Sequence, residues 1–430
     1  MAHIAIVGAG ITGITTAYAL IERGHRVTVF ERHRYAAMET SFANGGQLSA
    51  SNAEVWNHPQ TLIKGLGWLL QSDAPLLLNL KPSWHKYSWL AEFVAQLPHY
   101  RRNTIATVKL ALQARRLLFE IAEREGIDFD LERRGILHIY RDAEGFEHAR
   151  AVNALLQKGG LERHAVTPEE IKAIEPALHG DYYGGFYTPA DASGDIHKFT
   201  RQLAAACERR GAALIDDATV DHVGADEVGV MLQWRTLAQN GAEQTAADAV
   251  VICAGVASRH FAAMLGDRVN VYPVKGYSIT VALDDALSRT AAPTVSLLDD
   301  ATKIVSSRLG VDRLRVAGTA EFNGCNRDIR DARIAPLLRW TRQLFPDVAT
   351  ERVVPWAGLR PMMPNMLPRV GAGRRPRVFY NTGHGHLGWT LSAATAHILA
   401  DTLDARLRAR TPSRAHVFSW KARGRTASAD

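Results

Sequence analysis

Apolar residues open the chain as a short run at 3–7, recur at helical spacing over 14–23, and form a second short run at 26–30. That order predicts a strand, a helix ended by Gly24 and a second strand. Between the first strand and the helix stands Gly8-Ala9-Gly10-Ile11-Thr12-Gly13, and the second strand closes on Glu31. Strand, G-x-G-x-x-G, helix, strand and acidic residue make up the dinucleotide-binding fingerprint in the context it requires. Gly8 permits the tight turn, Gly10 lets a pyrophosphate approach the backbone, and Gly13 lets the helix pack closely. The helix N-terminus offers unpaired N–H groups to phosphates. Glu31 is placed to accept from ribose hydroxyls, which argues against a 2′-phosphate.

Further along, residues 107–126 carry Leu110, Leu112, Leu117, Leu118 and Ile121 on one side and Arg115, Arg116, Glu120 and Glu123 on the other. They predict an amphipathic helix ending at a glycine. Strands are expected at 135–141 and 182–187, and a short helix at 168–174 capped by Thr167 with Glu170. A helix over 196–210 is followed by short strands at 213–215, at Val220, at 228–234 and at 249–253, the last leaving through Ala254-Gly255. This succession reads as a return to the first sheet, so the nucleotide-binding domain is expected to be assembled from separated segments. Extended segments at 269–283, 303–307 and 314–318 predict an antiparallel sheet, followed by a helix at 332–345. A buried strand at 378–381 leads into Thr382-Gly383-His384-Gly385-His386-Leu387-Gly388-Trp389-Thr390 and a helix from 391 to about 403. Four of the nine tryptophans (Trp56, Trp68, Trp84, Trp89) fall in 56–97. Their spacing favours core helices over the alternative, an interfacial patch touching a membrane or a quinone carrier.

Composition narrows the class without changing this outline. A chain of 430 residues, 47% hydrophobic and 22% charged, has room for two or three domains. Cys207, Cys253 and Cys325 are widely spaced, which excludes a thiolate cage and suits a reducing compartment. The chain starts on a structural strand and no run of eighteen apolar residues occurs, so the sequence is expected to be cytoplasmic. From Asp401 onward seven Lys/Arg stand against three Asp, so this basic tail supplies +4 of the net +7. Such a tail suits peripheral contact with an anionic membrane face. No zinc finger, RNP motif or aromatic–basic interleaving points to nucleic acid. His384 and His386 form an H-x-H without a carboxylate or thiolate partner, so no metal is expected.

Two further stretches bear on the ligand. Glu39-Thr40-Ser41-Phe42-Ala43-Asn44-Gly45-Gly46-Gln47-Leu48-Ser49 makes a close-approach loop. The C-terminal stretch, strand then glycine loop then helix N-terminus, is a second cradle far from the first in sequence. A simple NAD enzyme has little use for it. A flavin needs its phosphates held at one end and its N1–C2=O region stabilised at the other.

With these residues in view, the chain resembles the D-amino-acid oxidase superfamily of FAD amine oxidoreductases, most nearly its bacterial D-amino acid dehydrogenases of the small-subunit type. The resemblance runs from about residue 4 to 403. It rests on the fingerprint, the 39–49 loop, Asp191 with Gly194-Asp195, Pro273 with Lys275-Gly276-Tyr277-Ser278, Gly358-Leu359-Arg360-Pro361 and the 381–390 stretch. Asn365 and His386 depart from the family pattern near substrate-facing loops, which bears on substrate choice. The resemblance implies an α/β fold with a Rossmann-like FAD domain from 1–55, 185–268 and 355–410. It also implies a substrate domain of antiparallel sheet and helices from 56–184 and 269–354, with a basic tail at 411–430.

FAD is implied to bind non-covalently. Gly8, Gly10, Ile11, Thr12, Gly13, Glu31 and Arg32 would hold the ADP half, with Val220 meeting the adenine. Ser41, Asn44, Gly45, Gly46, Gln47 and Leu48 would line the flavin, as would Ala254, Gly255, Gly383, His384, Gly385, His386, Leu387, Gly388, Trp389 and Thr390. Arg360 would anchor the substrate carboxylate with Tyr277 as partner, and Gln47 and His386 would face the substrate. An α-carboxylate in a water-poor cleft needs two parallel donors, which Arg supplies. The implied activity is oxidative deamination of D-amino acids to 2-oxo acids and ammonia by hydride transfer from Cα to flavin N5. The electrons would then pass to a quinone or another acceptor. A D-proline or hydroxyproline dehydrogenase, an O2-using oxidase, a flavin-binding subunit with a vestigial site and an NAD enzyme are the competing readings.

Overall fold

A computed structural model describes residues 1–61, 76–236 and 241–409. The N-terminal strand His3–Val7 lies inside a six-stranded sheet in the order Arg369–Ala372, Val378–Thr382, Ala249–Ile252, His3–Val7, Arg26–Phe30, Ala213–Ile215. All neighbours are parallel except the first pair. The central strands are almost wholly apolar and buried, as a sheet covered on both faces demands. Helices Ile11–Ile21, Ile196–Arg209 and Gly388–Arg408 pack together over one face, joined by Ile14, Leu20, Phe199, Leu203, Trp389 and Leu399. The predicted return of the chain to its first sheet is therefore observed.

A three-stranded meander, Ala218–Ala225, Val230–Thr236 and Glu243–Ala247, backs the other face through Val223, Leu232 and Trp234. The strand expected at Val220 is thus longer, the one expected at 228–234 is shifted by two residues, and a third, Glu243–Ala247, follows them in the chain at the edge of the meander.

The second layer is a nine-stranded sheet in the order Val353–Met362, Tyr272–Ala282, Arg313–Phe322, Ile304–Leu309, Ser296–Asp299, Ile136–Tyr140, Gly184–Thr188, His164–Val166, with Leu76–Leu78 also paired to Arg313–Phe322. It is mixed rather than purely antiparallel: Ser296–Asp299 runs parallel to Ile136–Tyr140, and Leu76–Leu78 parallel to its partner. Helix Asp331–Leu344 covers one face through Leu337, Trp340 and Leu344 against Tyr277, Ile279 and Val281. The other face roofs a cavity. The register places Gly184–Thr188 and Val353–Met362 in this sheet. The chain therefore changes sheets near 189 and 363, not at the expected 185 and 355.

Several helices depart from expectation. The one expected at 107–126 starts seven residues earlier, as Tyr100–Glu125. Helix Ala143–Lys158 has no counterpart among the predicted elements. Its signals are ordinary: the Asp142 side chain accepts from Gly145 N at 2.8 Å, and Phe146, Ala149, Val152 and Leu156 recur every three or four residues on its buried side. The Thr167–Glu170 capping box is present as predicted. In the tryptophan-rich stretch, 62–70 and Trp68 fall outside the described residues, as does the tail at 411–430. Helix Trp84–Ala95 buries Trp89 against Phe93, Tyr272 and Phe322 but leaves Trp84 at 84% exposure, so the stretch is core at one residue and surface at another. Among the described residues no helix is long and apolar enough to cross a membrane.

Candidate active site

One cavity of about 720 Å³ runs from the first βα turn to the C-terminal glycine loop and on beneath the nine-stranded roof. Two helix N-termini open onto it. Ile11–Ile21 is preceded by Gly10 and Gly388–Arg408 by Leu387, and neither of these preceding residues offers a capping side chain. Helix starts leave N–H groups that need an acceptor. Two helix starts that lack a capping residue of their own, on one elongated cavity, fit a ligand carrying acceptor oxygens at both ends.

The glycines divide by task. A Cβ at Gly13 would overlap the Gly8 carbonyl oxygen, so this glycine serves helix–strand packing and does not face the cavity. Gly8 has φ +102°, and its Cβ would press on the Cys253 carbonyl oxygen at 2.8 Å. Gly10, by contrast, would meet only Ser41 Oγ at 3.5 Å, so its bare side is turned to open space where a pyrophosphate fits. Glu31 accepts from Ala9 N (2.8 Å) and His33 N (3.0 Å) at the cavity edge. Burial raises its pKa, and those two N–H groups oppose the rise.

The 39–49 loop is held against the roof by the sheet itself. Ser278 Oγ donates to Ala43 O (2.7 Å), Ser307 Oγ to Gly45 O (2.8 Å) and Arg315 Nη1 to Asn44 O (2.9 Å). Ser41 Oγ accepts from Ile11 N at 3.0 Å. Buried Asp191 pins the following turn, accepting from Ala50 N (3.1 Å), Ser51 N (3.0 Å) and Arg115 Nη1 (2.5 Å). Gln47 faces the cavity, but its amide nitrogen donates to Ser296 Oγ and Leu297 O, both at 3.0 Å, leaving only its carbonyl for a ligand.

Arg360 lies in the cavity wall, where its one hydrogen bond among the described residues is a long one of 3.4 Å to Thr319 O. Among the described residues no carboxylate pairs with it, and burial lowers its pKa to about 10. Its guanidinium lies flat on Gly276, where a Cβ would overlap it. On the next strand Gly358 is the register partner of Gly276, and the Trp356 indole covers it in the same way. His386 stacks on Trp56 with ring centroids 4.9 Å apart. Burial, reinforced by Arg360, lowers its pKa to about 4, so the imidazole is neutral, while the Asn52 backbone acts in the opposite sense. His384 turns away, its Nε2 2.9 Å from Thr395 Oγ1.

Most of the residues expected at the ligand wall this cavity: Ile11, Thr12, Arg32, Asn44, Gly46, Val220, Ala254, Gly255 and 383–390 all line it. Four assignments need correction. Gly13, expected to hold the ADP half, stands outside the lining and serves helix–strand packing instead. Leu48 does not line the cavity; it is buried with Ile11, Phe129 and Trp389 because it pairs with Ala192 in a two-stranded ribbon. Trp389 lines it, but its ring packs in the core against Phe129 and Phe199. Tyr277 belongs to a stretch of the roof that lines the cavity, but its side chain, 1% exposed, packs on the opposite face. It shares that face with Ile279 and Val281, and its hydroxyl donates to Glu321 Oε2 at 2.8 Å. Strand alternation puts Gly276 and Ser278 on the cavity side and Tyr277 on the helix side. Walls that the sequence does not announce include Trp56, His138, Tyr140, Arg163 and Trp356. They come from four separate segments, His138 and Tyr140 sharing one strand, and no local pattern links them.

The two-layer architecture and the doubly capped cavity define a flavin-dependent oxidoreductase of mixed α/β fold. The chain belongs to the FAD dependent oxidoreductase family (DAO), whose model matches residues 3–402, and FAD is its cofactor.

Among its relatives, a D-amino acid dehydrogenase 3 of Mesorhizobium japonicum is 63% identical over 417 residues, covering 95% of this chain and all of that one. A D-amino acid dehydrogenase of Paramagnetospirillum magneticum is 42% identical, covering 94% of this chain and 95% of the relative. Among solved structures, glycine oxidase from Geobacillus kaustophilus superimposes with a TM-score of 0.73 at 24% identity, over 94% of this chain and 95% of its own. That last likeness bears on the fold alone.

Proposed function

We propose that this chain oxidises D-amino acids to 2-oxo acids and ammonia and passes the electrons to an acceptor such as a quinone, at or near the inner face of the membrane. The observation that carries the substrate reading is Arg360, a buried guanidinium without a carboxylate partner in the cavity wall. A buried cation left unpaired is costly, and an α-carboxylate would supply the missing charge in bidentate form. The relatives named D-amino acid dehydrogenase support the class and the handedness.

FAD, when bound, supplies the two-electron acceptor for the hydrogen on Cα. Gly10 and the helix start at Ile11 would hold its phosphates, and the start at Gly388 would face the ring carbonyl. The chain's own part is then placement. Arg360 fixes the carboxylate, and the neutral His386 imidazole offers an acceptor for the amine. The aromatic wall of Trp56 and Trp356 keeps water away. No strong side-chain base is required, and orientation does most of the work.

The deciding experiment is anaerobic mixing of the holoenzyme with a panel of D- and L-amino acids while the flavin absorbance is followed. Bleaching by D-amino acids and not their enantiomers is the expected result. No bleaching by any member of the panel would overturn the reading. Peroxide release in air at the rate of dye reduction would favour an oxidase instead.

A further inference from the structure

The cavity continues past Arg360 to the strand Ile136–Tyr140 and helix Ala143–Lys158, where a second guanidinium, Arg163, has no counter-ion among the described residues. Arg163 is 4% exposed. Its Nη2 donates to Tyr140 Oη at 3.2 Å, its plane lies 4.6 Å from the Phe186 ring centroid, and its Nε has no hydrogen-bond partner. Two carboxylates bear on Tyr140, and both are engaged elsewhere: Asp300 with Lys303 at 2.5 Å, Glu54 with the Tyr100 hydroxyl at 2.6 Å. Tyr140 Oη already accepts from Arg163, and among the described residues its own proton has no acceptor. The Arg163 Nε–H and the Tyr140 proton are therefore two neighbouring donors without an acceptor among the described residues, which is rare for buried groups.

The amino acid held by Arg360 does not reach them. The Arg360 guanidinium rests on strand Tyr272–Ala282, and three strands separate that one from Ile136–Tyr140. Four strand spacings amount to roughly 19 Å, far beyond an amino acid side chain. The wall around Arg163 therefore belongs to a compartment of the cavity away from Arg360. Ala149, Val152 and Leu298 give it apolar sides. It also touches the loop that follows Gln47, because Ser49 Oγ lies 3.0 Å from Ser51 Oγ, and Ser51 Oγ lies 3.0 Å from His138 Nε2.

We propose that Arg163 and Tyr140 form the head-group site of a quinone-type electron acceptor, both donors meeting one carbonyl oxygen of its ring. The idea rests on the reading above that electrons leave to an acceptor other than O2. The step balances without further reagents: reduced flavin and quinone give oxidised flavin and hydroquinone, with two electrons and two protons transferred. Negative charge grows on the quinone oxygen as the electrons arrive, and a fixed cation with a hydroxyl donor favours that state over the neutral one.

The test uses the holoenzyme and a short-chain benzoquinone, with the two half-reactions followed separately by stopped flow. In Arg163→Met the KM for the quinone in reoxidation is expected to rise by at least about tenfold, and in Tyr140→Phe by about threefold. Bleaching by D-alanine is expected to stay within about twofold of the parent, since the two ends are remote. Quinone binding to the oxidised enzyme, read by quenching of flavin fluorescence, is expected to weaken in parallel without any turnover. Unchanged reoxidation would overturn the proposal, and so would an equal fall in both half-reactions, which marks a structural role. A selective loss of D-glutamate bleaching would overturn it too, assigning Arg163 to a substrate carboxylate. Should no amino acid bleach the flavin, the photoreduced enzyme still tests the quinone site, so the two failures are distinguishable.

Discussion

The two ends of the cavity are built from different materials. At the first βα turn the wall is backbone: bare glycines, a helix start and a carboxylate gripping two N–H groups. Beneath the roof it is side chains, with Arg360, His386, Trp56, Tyr140 and Arg163 arriving from separate strands, loops and helices. A backbone-built wall is dictated within a dozen consecutive residues. A side-chain wall depends on sheet register and on which face each residue takes. The first is therefore intolerant of any added atom. The second tolerates change in shape but not in charge.

The sharpest way to probe this difference is at the glycines. Gly13→Ala would force its methyl into the Gly8 carbonyl, so we expect a loss of more than about 4 kcal/mol and no recoverable yellow protein. Gly10→Ala has room to fold. It is expected to yield a stable chain whose FAD affinity falls by about tenfold or more, measured by reconstituting the apoprotein. Equal behaviour of the two variants would erase the distinction between packing and ligand glycines.

Next in size stands Arg360. Arg360→Met is expected to lower kcat/KM for D-amino acids by about a hundredfold or more, chiefly through KM, with Arg360→Lys in between. An unchanged KM would remove its assigned role.

A smaller effect concerns acid. His384 is held neutral by burial with a pKa lowered to about 3, and His386 to about 4. The unfolded chain takes up these protons near pH 6.5 and the folded chain does not. Stability therefore falls as pH drops below 6.5, by about 2 kcal/mol per histidine at pH 5. Denaturation midpoints between pH 7 and 5 should shift less in His384→Gln than in the parent; an identical slope would refute the assignment.

Smallest is Tyr277→Phe, which removes the hydroxyl's hydrogen bond to Glu321 Oε2 (2.8 Å) and its longer one to Asp328 O (3.4 Å). About 1 kcal/mol of stability should go, with the substrate KM within about twofold of the parent. A large KM effect would restore Tyr277 to the substrate side and break the register reading.

These contrasts explain what was legible. The fingerprint, the 39–49 loop and the 382–390 turn could be read because each lies in one stretch and acts through its backbone. The return of 249–252 to the first sheet was legible from its apolar run. Tyr277 was misplaced because residue type says nothing of which side of a strand it occupies, and Gly276 beside it decides that the roof opens one residue earlier. Arg163 carries no local signal at all. It becomes conspicuous only once it is seen against Tyr140 and Phe186 with no counter-ion among the described residues.

The facing pair Gly276 and Gly358 ties two distant stretches of sequence into one hereditary unit. A methyl at 276 would evict the guanidinium that rests there, so position 276 is constrained by the length of the residue at 360 and not by its own strand. Shortening Arg360 to alanine should release that constraint, and Gly276→Ala, ruinous in the parent, should become nearly silent in that background. Lineages that abandon carboxylate anchoring would then be free to fill the floor, and the two sites would drift together.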